Sequence, residues 1–112
     1  FIEDKFKDEM TARTEVLWEV KKEKAEELAS LAGGEVVDLK IDSATEWAIV
    51  MNPIGGLNIY FILQLYAPEF ENEIRVLLGK EVKETDTPVE DVYDLTRLCA
   101  NALVRAAKRI LR

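Results

Sequence analysis

Gly55 and Gly56 stand in front of an aromatic and aliphatic run, in MNPIGGLNIYFILQLYAPE over 51–69. A glycine pair can wrap a phosphate with converging backbone N–H groups, or it can turn a hairpin. A phosphate loop opens a helix and usually ends in Lys followed by Ser or Thr. Here the next polar residue is Asn58, no G-K-[ST] or G-x-G-x-x-G occurs, and the residues that follow alternate like a strand. The neighbours support the hairpin.

Other groups that could do chemistry are few. The chain has no His, which removes the commonest general base and metal ligand and every Ser-His or Cys-His nucleophile pair. Cys99 is the single cysteine and has no CxxC partner; it cannot form an internal disulfide, and it reads as a core thiol in a cytoplasmic protein. Glu90 and Asp94 at helical spacing could hold a hard cation, but no second acidic segment stands at a known spacing, so solvated helix surface is the expectation. Arg97, Asn101, Arg105, Lys108 and Arg112, with Arg109 beside them, form a basic stripe near the end of the chain. It can be read as a nucleic-acid contact or as positive charge complementing a helix C-terminus. Acids outnumber bases 22 to 15, for a net charge of −7, and a field of that sign repels phosphate backbones. The second reading is therefore preferred. No catalytic residue, cofactor or metal ligand is assigned, and the expectation is a non-enzyme.

The 112 residues make one domain, 1–112, with 48% hydrophobic and 33% charged residues. No apolar run approaches the length of a transmembrane helix, and the start lacks the apolar core of a signal peptide. Residue 1 is Phe rather than Met, as in a processed or trimmed chain. A single Gln among many Glu and Lys is the bias of heat-adapted proteins.

The elements that must position these residues follow from periodicity. Residues 3–32 lack Gly and Pro and place Phe6, Met10, Leu17, Val20, Leu28 and Leu31 near helical spacing. A helix of that length would run about 45 Å, so a break near 10–14 or an overhang is expected. Gly33-Gly34 ends it. In EVVDLKID, over 35–42, Val37, Leu39 and Ile41 alternate with charges as a half-buried strand. EWAIVMN puts Trp47, Ile49 and Met51 on one face, and LNIYFILQLY does so for Leu57, Ile59, Phe61, Leu63 and Leu65. The stretch from Pro68 reads two ways. As a helix it aligns Phe70, Ile74, Leu77 and Leu78; as a strand it alternates Phe70, Ile74, Val76, Leu78 and Val82 with Glu71, Glu73, Arg75, Glu81 and Lys83. The strand alternation runs longer and is adopted. Thr87, Pro88 and Glu90 suit N-cap, N1 and N3 of a final helix whose stripe is Val92, Leu95, Cys99, Leu103, Ala106 and Ile110.

The expected fold is α+β and two-layered: an antiparallel meander of three or four strands, with a long N-terminal helix and a C-terminal helix on one face. The opposite face then carries Ala48, Val50, Tyr60, Ile62 and Tyr66, bordered by Asp38, Lys40, Glu46, Gln64, Glu73 and Arg75. An apolar, aromatic centre in a polar rim is the composition of an interface core. Coverage by a folded-back N-terminal helix is the competing reading.

The meander from EVVDLKID through LNIYFILQLY and the closing TPVEDVYDLTRLCANALVRAAKRIL resemble, in element order, the type III secretion chaperone and YbjN-like group. The resemblance implies a non-enzymatic protein that dimerises or holds a partner polypeptide. The functional expectation is a cytoplasmic protein–protein interaction module, chaperone-like or an assembly subunit, acting as a homodimer or on a protein partner through that sheet face. The alternative is single-stranded RNA stacked on Tyr60 and Tyr66.

Overall fold

The meander is built around its tightest turn. In the computed structural model, which describes residues 2–79 and 86–112 and side chains from Asp8 onward, Gly55-Gly56 joins two long antiparallel strands, with Gly56 at φ +83°. These strands are β2 (Thr45–Ile54) and β3 (Leu57–Gln64); β1 (Glu35–Val36) precedes them and β4 (Glu73–Leu78) follows. The sheet order is β1-β2-β3-β4, antiparallel throughout, as short connections between sequential strands require. Helices α1 (Ile2–Thr14), α2 (Ala25–Ala32) and α3 (Val89–Ile110) complete an α+β arrangement in the expected order.

Trp47, Ile49, Met51, Leu57, Ile59, Phe61, Leu63 and Ile74 face the helices and share one core with Met10, Leu17, Val20, Leu28, Cys99, Leu103 and Ala106. Register aligns Phe61 with Ile49 and Val76, and Leu63 with Trp47 and Ile74. The stretch from Pro68 thus holds a strand. Phe70 is nonetheless 75% exposed, because it lies in a bend before β4 begins. Glu81, Val82 and Lys83, which the alternation included, lie outside the described residues, as does the side chain of Phe6.

The N-terminal segment is not one helix. α1 stops at Thr14, 3-10 turns occupy Glu15–Glu19 and Lys22–Lys24, and Val20 is extended. The break thus starts at the edge of the expected 10–14 window and runs on past it. Its cause is tertiary. The Trp47 indole N–H donates to the Val20 carbonyl at 2.8 Å, and Leu17 and Val20 are both buried, which pulls the backbone off the helical path toward β2. The Thr14 hydroxyl also bonds back to the Met10 carbonyl, a local alternative that bends helices. The break shifts the α2 stripe: Ala25, Leu28 and Ala29 are buried, whereas Leu31 is exposed.

Gly33 takes the left-handed C-cap position with φ +86°. Gly34 then passes so close to β2 that a Cβ there would lie 2.6 Å from the Val50 carbonyl oxygen. The strand expected over 35–42 pairs only through Glu35 and Val36, followed by one bond from the Val37 N–H to the Ala48 carbonyl at 2.9 Å. Val37, Leu39 and Ile41 are not in the core; Val36, opposite Ile49, takes the position nearest the helix face. The final helix starts one residue later than expected, with Pro88 at the N-cap position and its carbonyl accepting the N–H groups of Asp91 and Val92.

Candidate functional site

Two register irregularities in β2 decide which side chains reach the helix-free face. Between Thr45 and Trp47, two steps on β2 match one on β3, so Glu46 is an extra residue. Its carboxylate accepts the Lys22 backbone N–H at 2.8 Å, on the helix side. Glu46 is therefore not on the rim where strict alternation puts it. The second irregularity, between Met51 and Ile54, contains Pro53, which has no N–H to give a ladder.

On the helix-free face the ladder builds cross-strand rows. Glu35, Val50, Tyr60 and Leu77 form one row across all four strands. Ala48, Ile62 and Arg75 form the next. Of the five residues expected at an interface, Val50, Tyr60 and Tyr66 are half-buried, but Ala48 and Ile62 are buried within the single chain, at 1% and 0% exposure. Leu77, at 40% exposure, extends the first row and was not among the residues expected there. The signal was its odd position in the strand alternation, where a Leu stands in an otherwise charged series.

Beyond Ile62 the face turns polar. Gln64, the only glutamine in the chain, is fully buried and satisfied. Its Nε2 donates to Asp42 Oδ1 at 2.9 Å and to the Tyr66 hydroxyl oxygen at 2.8 Å, and its Oε1 accepts the Thr45 hydroxyl at 2.6 Å. The Tyr66 hydroxyl donates to Asp42 Oδ2 at 2.8 Å, and the Ala44 N–H donates to Asp42 Oδ1 at 2.8 Å. The Tyr66 hydroxyl foremost, then the Ala44 N–H, Gln64 and the charge of Arg75, hold the Asp42 carboxyl below the usual carboxylate range. Two hints of this cluster stand in the sequence: a lone Gln inside an apolar strand, and the turn-forming DSAT.

Elsewhere the reactive-looking groups resolve into structure. Burial pushes the Cys99 thiol up to about 11, so it is neutral and unreactive at ordinary pH. Arg97 and Asn101 of the basic stripe face α1: Arg97 Nε donates to Glu9 at 3.0 Å, and Arg13 donates to Asn101 Oδ1 at 2.7 Å and to Glu9 at 2.7 Å. Asp94, half of the acidic pair, bonds Arg97 at 2.8 Å. Among the described residues no group of three or more acidic or Cys side chains is placed to hold a metal ion, and no helix is long and apolar enough to cross a membrane. A cavity of about 410 Å³ beside α1 has Asp8, Glu15, Trp18, Glu71 and Glu73 in its wall, a concentration of negative charge on the surface.

The helix-free face is an apolar row with Tyr60 at its middle, ending against a charged and hydrogen-bonded edge. No protein-family model, curated protein or solved structure matches the chain.

Proposed function

We propose that the protein is a non-enzymatic interaction module, chaperone-like or an assembly subunit, that binds a protein partner or a second copy of itself through the helix-free sheet face. The observation that carries the reading is the row Val50–Tyr60–Leu77, with Glu35, Glu73 and Arg75 around it. Apolar side chains aligned across adjacent strands and rimmed by charge are what a partner can desolvate cheaply at the centre and orient at the edge. The sequence's resemblance in element order to the type III secretion chaperone group fits this role but assigns no residue to it.

The RNA alternative is the less favoured of the two. The Tyr66 hydroxyl is tied to the Asp42 carboxylate, so a negative charge sits beside that ring and repels phosphate.

The test is the double substitution Tyr60→Glu with Leu77→Glu, followed by light scattering and by co-purification. A functional interface buries about 1,200–2,000 Å² in total, and two charges at its centre are desolvated without partners. The expected result is a variant with unchanged circular dichroism that no longer assembles. A wild-type protein that stays monomeric at high micromolar concentration with no co-purifying protein, or a variant that assembles normally, overturns the reading.

A further inference from the structure

The two edges of the sheet are finished differently. β1 is an edge of two residues, too short to recruit another strand. β4 is an edge of six, Glu73–Leu78, paired to β3 in unbroken register. It contains no Pro, no Lys and no bulge, the features that commonly guard an edge. Its two charges, Glu73 and Arg75, lie 3.5 Å apart and offset each other.

The register also identifies the unused backbone groups. The Gly79 N–H donates to the Asn58 carbonyl at 3.0 Å, so these two residues are a hydrogen-bonded pair of the ladder. Such pairs alternate along an antiparallel ladder, so Leu77, Arg75 and Glu73 also bond to β3. The N–H and carbonyl groups of Ile74, Val76 and Leu78 then point away from β3, and among the described residues nothing bonds them. The side chains at the end of the strand are open as well. Leu77 and Leu78 point to opposite faces and are 40% and 42% exposed. Leu78 is on the helix side, in register with Ile59, but the helix layer stops short of it. Ile74, on the same side, is 7% exposed and belongs to the core, at the end of β4 where Asp8, Glu15 and Trp18 share a cavity wall with Glu73.

We propose that β4 is a dimer edge: the β4 strands of two copies pair antiparallel about a two-fold axis at Val76 and join two four-stranded sheets into one. The occupant follows from the strand itself. Free groups at every second residue are satisfied by an extended strand and not by a helix. An axis at Val76 sets Ile74 of one copy against Leu78 of the other, and Val76 against Val76, so apolar meets apolar on the helix side. Arg75 then lies opposite Leu77, whereas an axis at Arg75 would put two arginines face to face. The uncovered end of each strand comes beside the end that the other copy's helices cover. Both long edges are used at once, so the assembly closes at two copies. The pairing does not rest on the face reading above, and it leaves both helix-free faces on one side of the joint sheet.

The experiment is amide exchange of the wild-type protein, read residue by residue by NMR at low and high micromolar concentration, with light scattering on the same samples. The expected result is a dimer at the higher concentration and no larger species. Exchange at Ile74, Val76 and Leu78 slows several-fold with concentration, while Arg75 and Leu77, already bonded to β3, keep their rates. Leu78→Pro removes an outward donor and no bond to β3, so it should return the protein to monomer with unchanged circular dichroism. A wild-type protein that stays monomeric overturns the edge pairing, and leaves the face reading to stand on a different protein as partner. A dimer in which the three outward amides do not slow means that the copies meet elsewhere, the sheet face included, and overturns it too. A species larger than a dimer rejects the closed pairing. Should Leu78→Pro fail to fold, Leu78→Lys puts a charge at the same edge, and dimerisation of unchanged affinity then rejects the proposal.

Discussion

Phe61 and Tyr60 are consecutive on β3 and stand in opposite regimes. Phe61 points into a layer of helices, is fully buried, and meets Ile49 and Val76 on its own face. Tyr60 points away from all three helices, is half-buried, and meets Val50 and Leu77. One face is closed by large apolar side chains from α1, α2 and α3, and the other carries cross-strand rows and the hydrogen bonds of Gln64, Tyr66 and Asp42. The difference teaches where stability is committed. The helix face cannot be changed without losing the fold, because its contacts come from elements distant in the chain. The other face has no helix on it, and its outer row of Val50, Tyr60 and Leu77 stays half-buried or exposed.

The comparison is broken most directly by truncating both residues. Phe61→Ala should cost about 3–5 kcal/mol, the range for a buried aromatic, whereas Tyr60→Ala should cost about 1 kcal/mol. Urea denaturation with an unchanged m-value measures both; similar losses would mean that the two faces are equally buried.

A smaller effect separates the two tryptophans. Trp47→Phe leaves the buried Val20 carbonyl without its donor, and should cost about 1–3 kcal/mol. The indole N–H of Trp18 is buried with no acceptor, so Trp18→Phe removes an unpaired donor and should cost less. Thermal melts of the two variants check the order, and the reverse order would mean that the Trp47–Val20 bond is not what breaks the N-terminal segment.

The smallest effect belongs to Asp42. The Asp42 carboxyl lies below its ordinary value of 3.8 in the folded chain, so its contribution is fully present above that value and is lost as pH falls through the lower, folded value. Stability should therefore decline with acid below about pH 4, and less steeply in Asp42→Asn. Denaturation midpoints from pH 5 down to 2 test the sign, and parallel curves for the two proteins would remove Asp42 from the cause.

The fold was largely legible because its signals are local. The alternation of Leu57, Ile59, Phe61 and Leu63, the stripe on α3 and the Gly55-Gly56 turn each follow from a few adjacent residues. What stayed hidden depends on distant partners. Helical propensity favours a continuous helix through Thr14–Lys24, and a hydrogen bond from Trp47 overrides it. The alternation in EVVDLKID is a good strand pattern, but the ladder ends after Val37, and Asp42 belongs instead to the turn that enters β2. The interface residues were half legible for the same reason. Periodicity gives the face on which Ala48 and Ile62 lie, and says nothing about how far their neighbours in space bury them.

The ion-paired contact between α1 and α3 has a consequence for the order in which the molecule comes together. Glu9 and Arg97 are separated by 88 positions in the sequence, whereas β2 and β3 meet across a two-residue turn. The strands can pair as each neighbour forms, at little loop-closure cost, but the Glu9–Arg97 contact closes almost the whole chain into a ring. The meander is therefore expected to order before the helix clamp, and φ-values at Phe61 near the middle of the range with values near zero at Arg97 would show it. The half-exposed charges of the clamp lose little on returning to water, so the contact adds specificity of position more than stability.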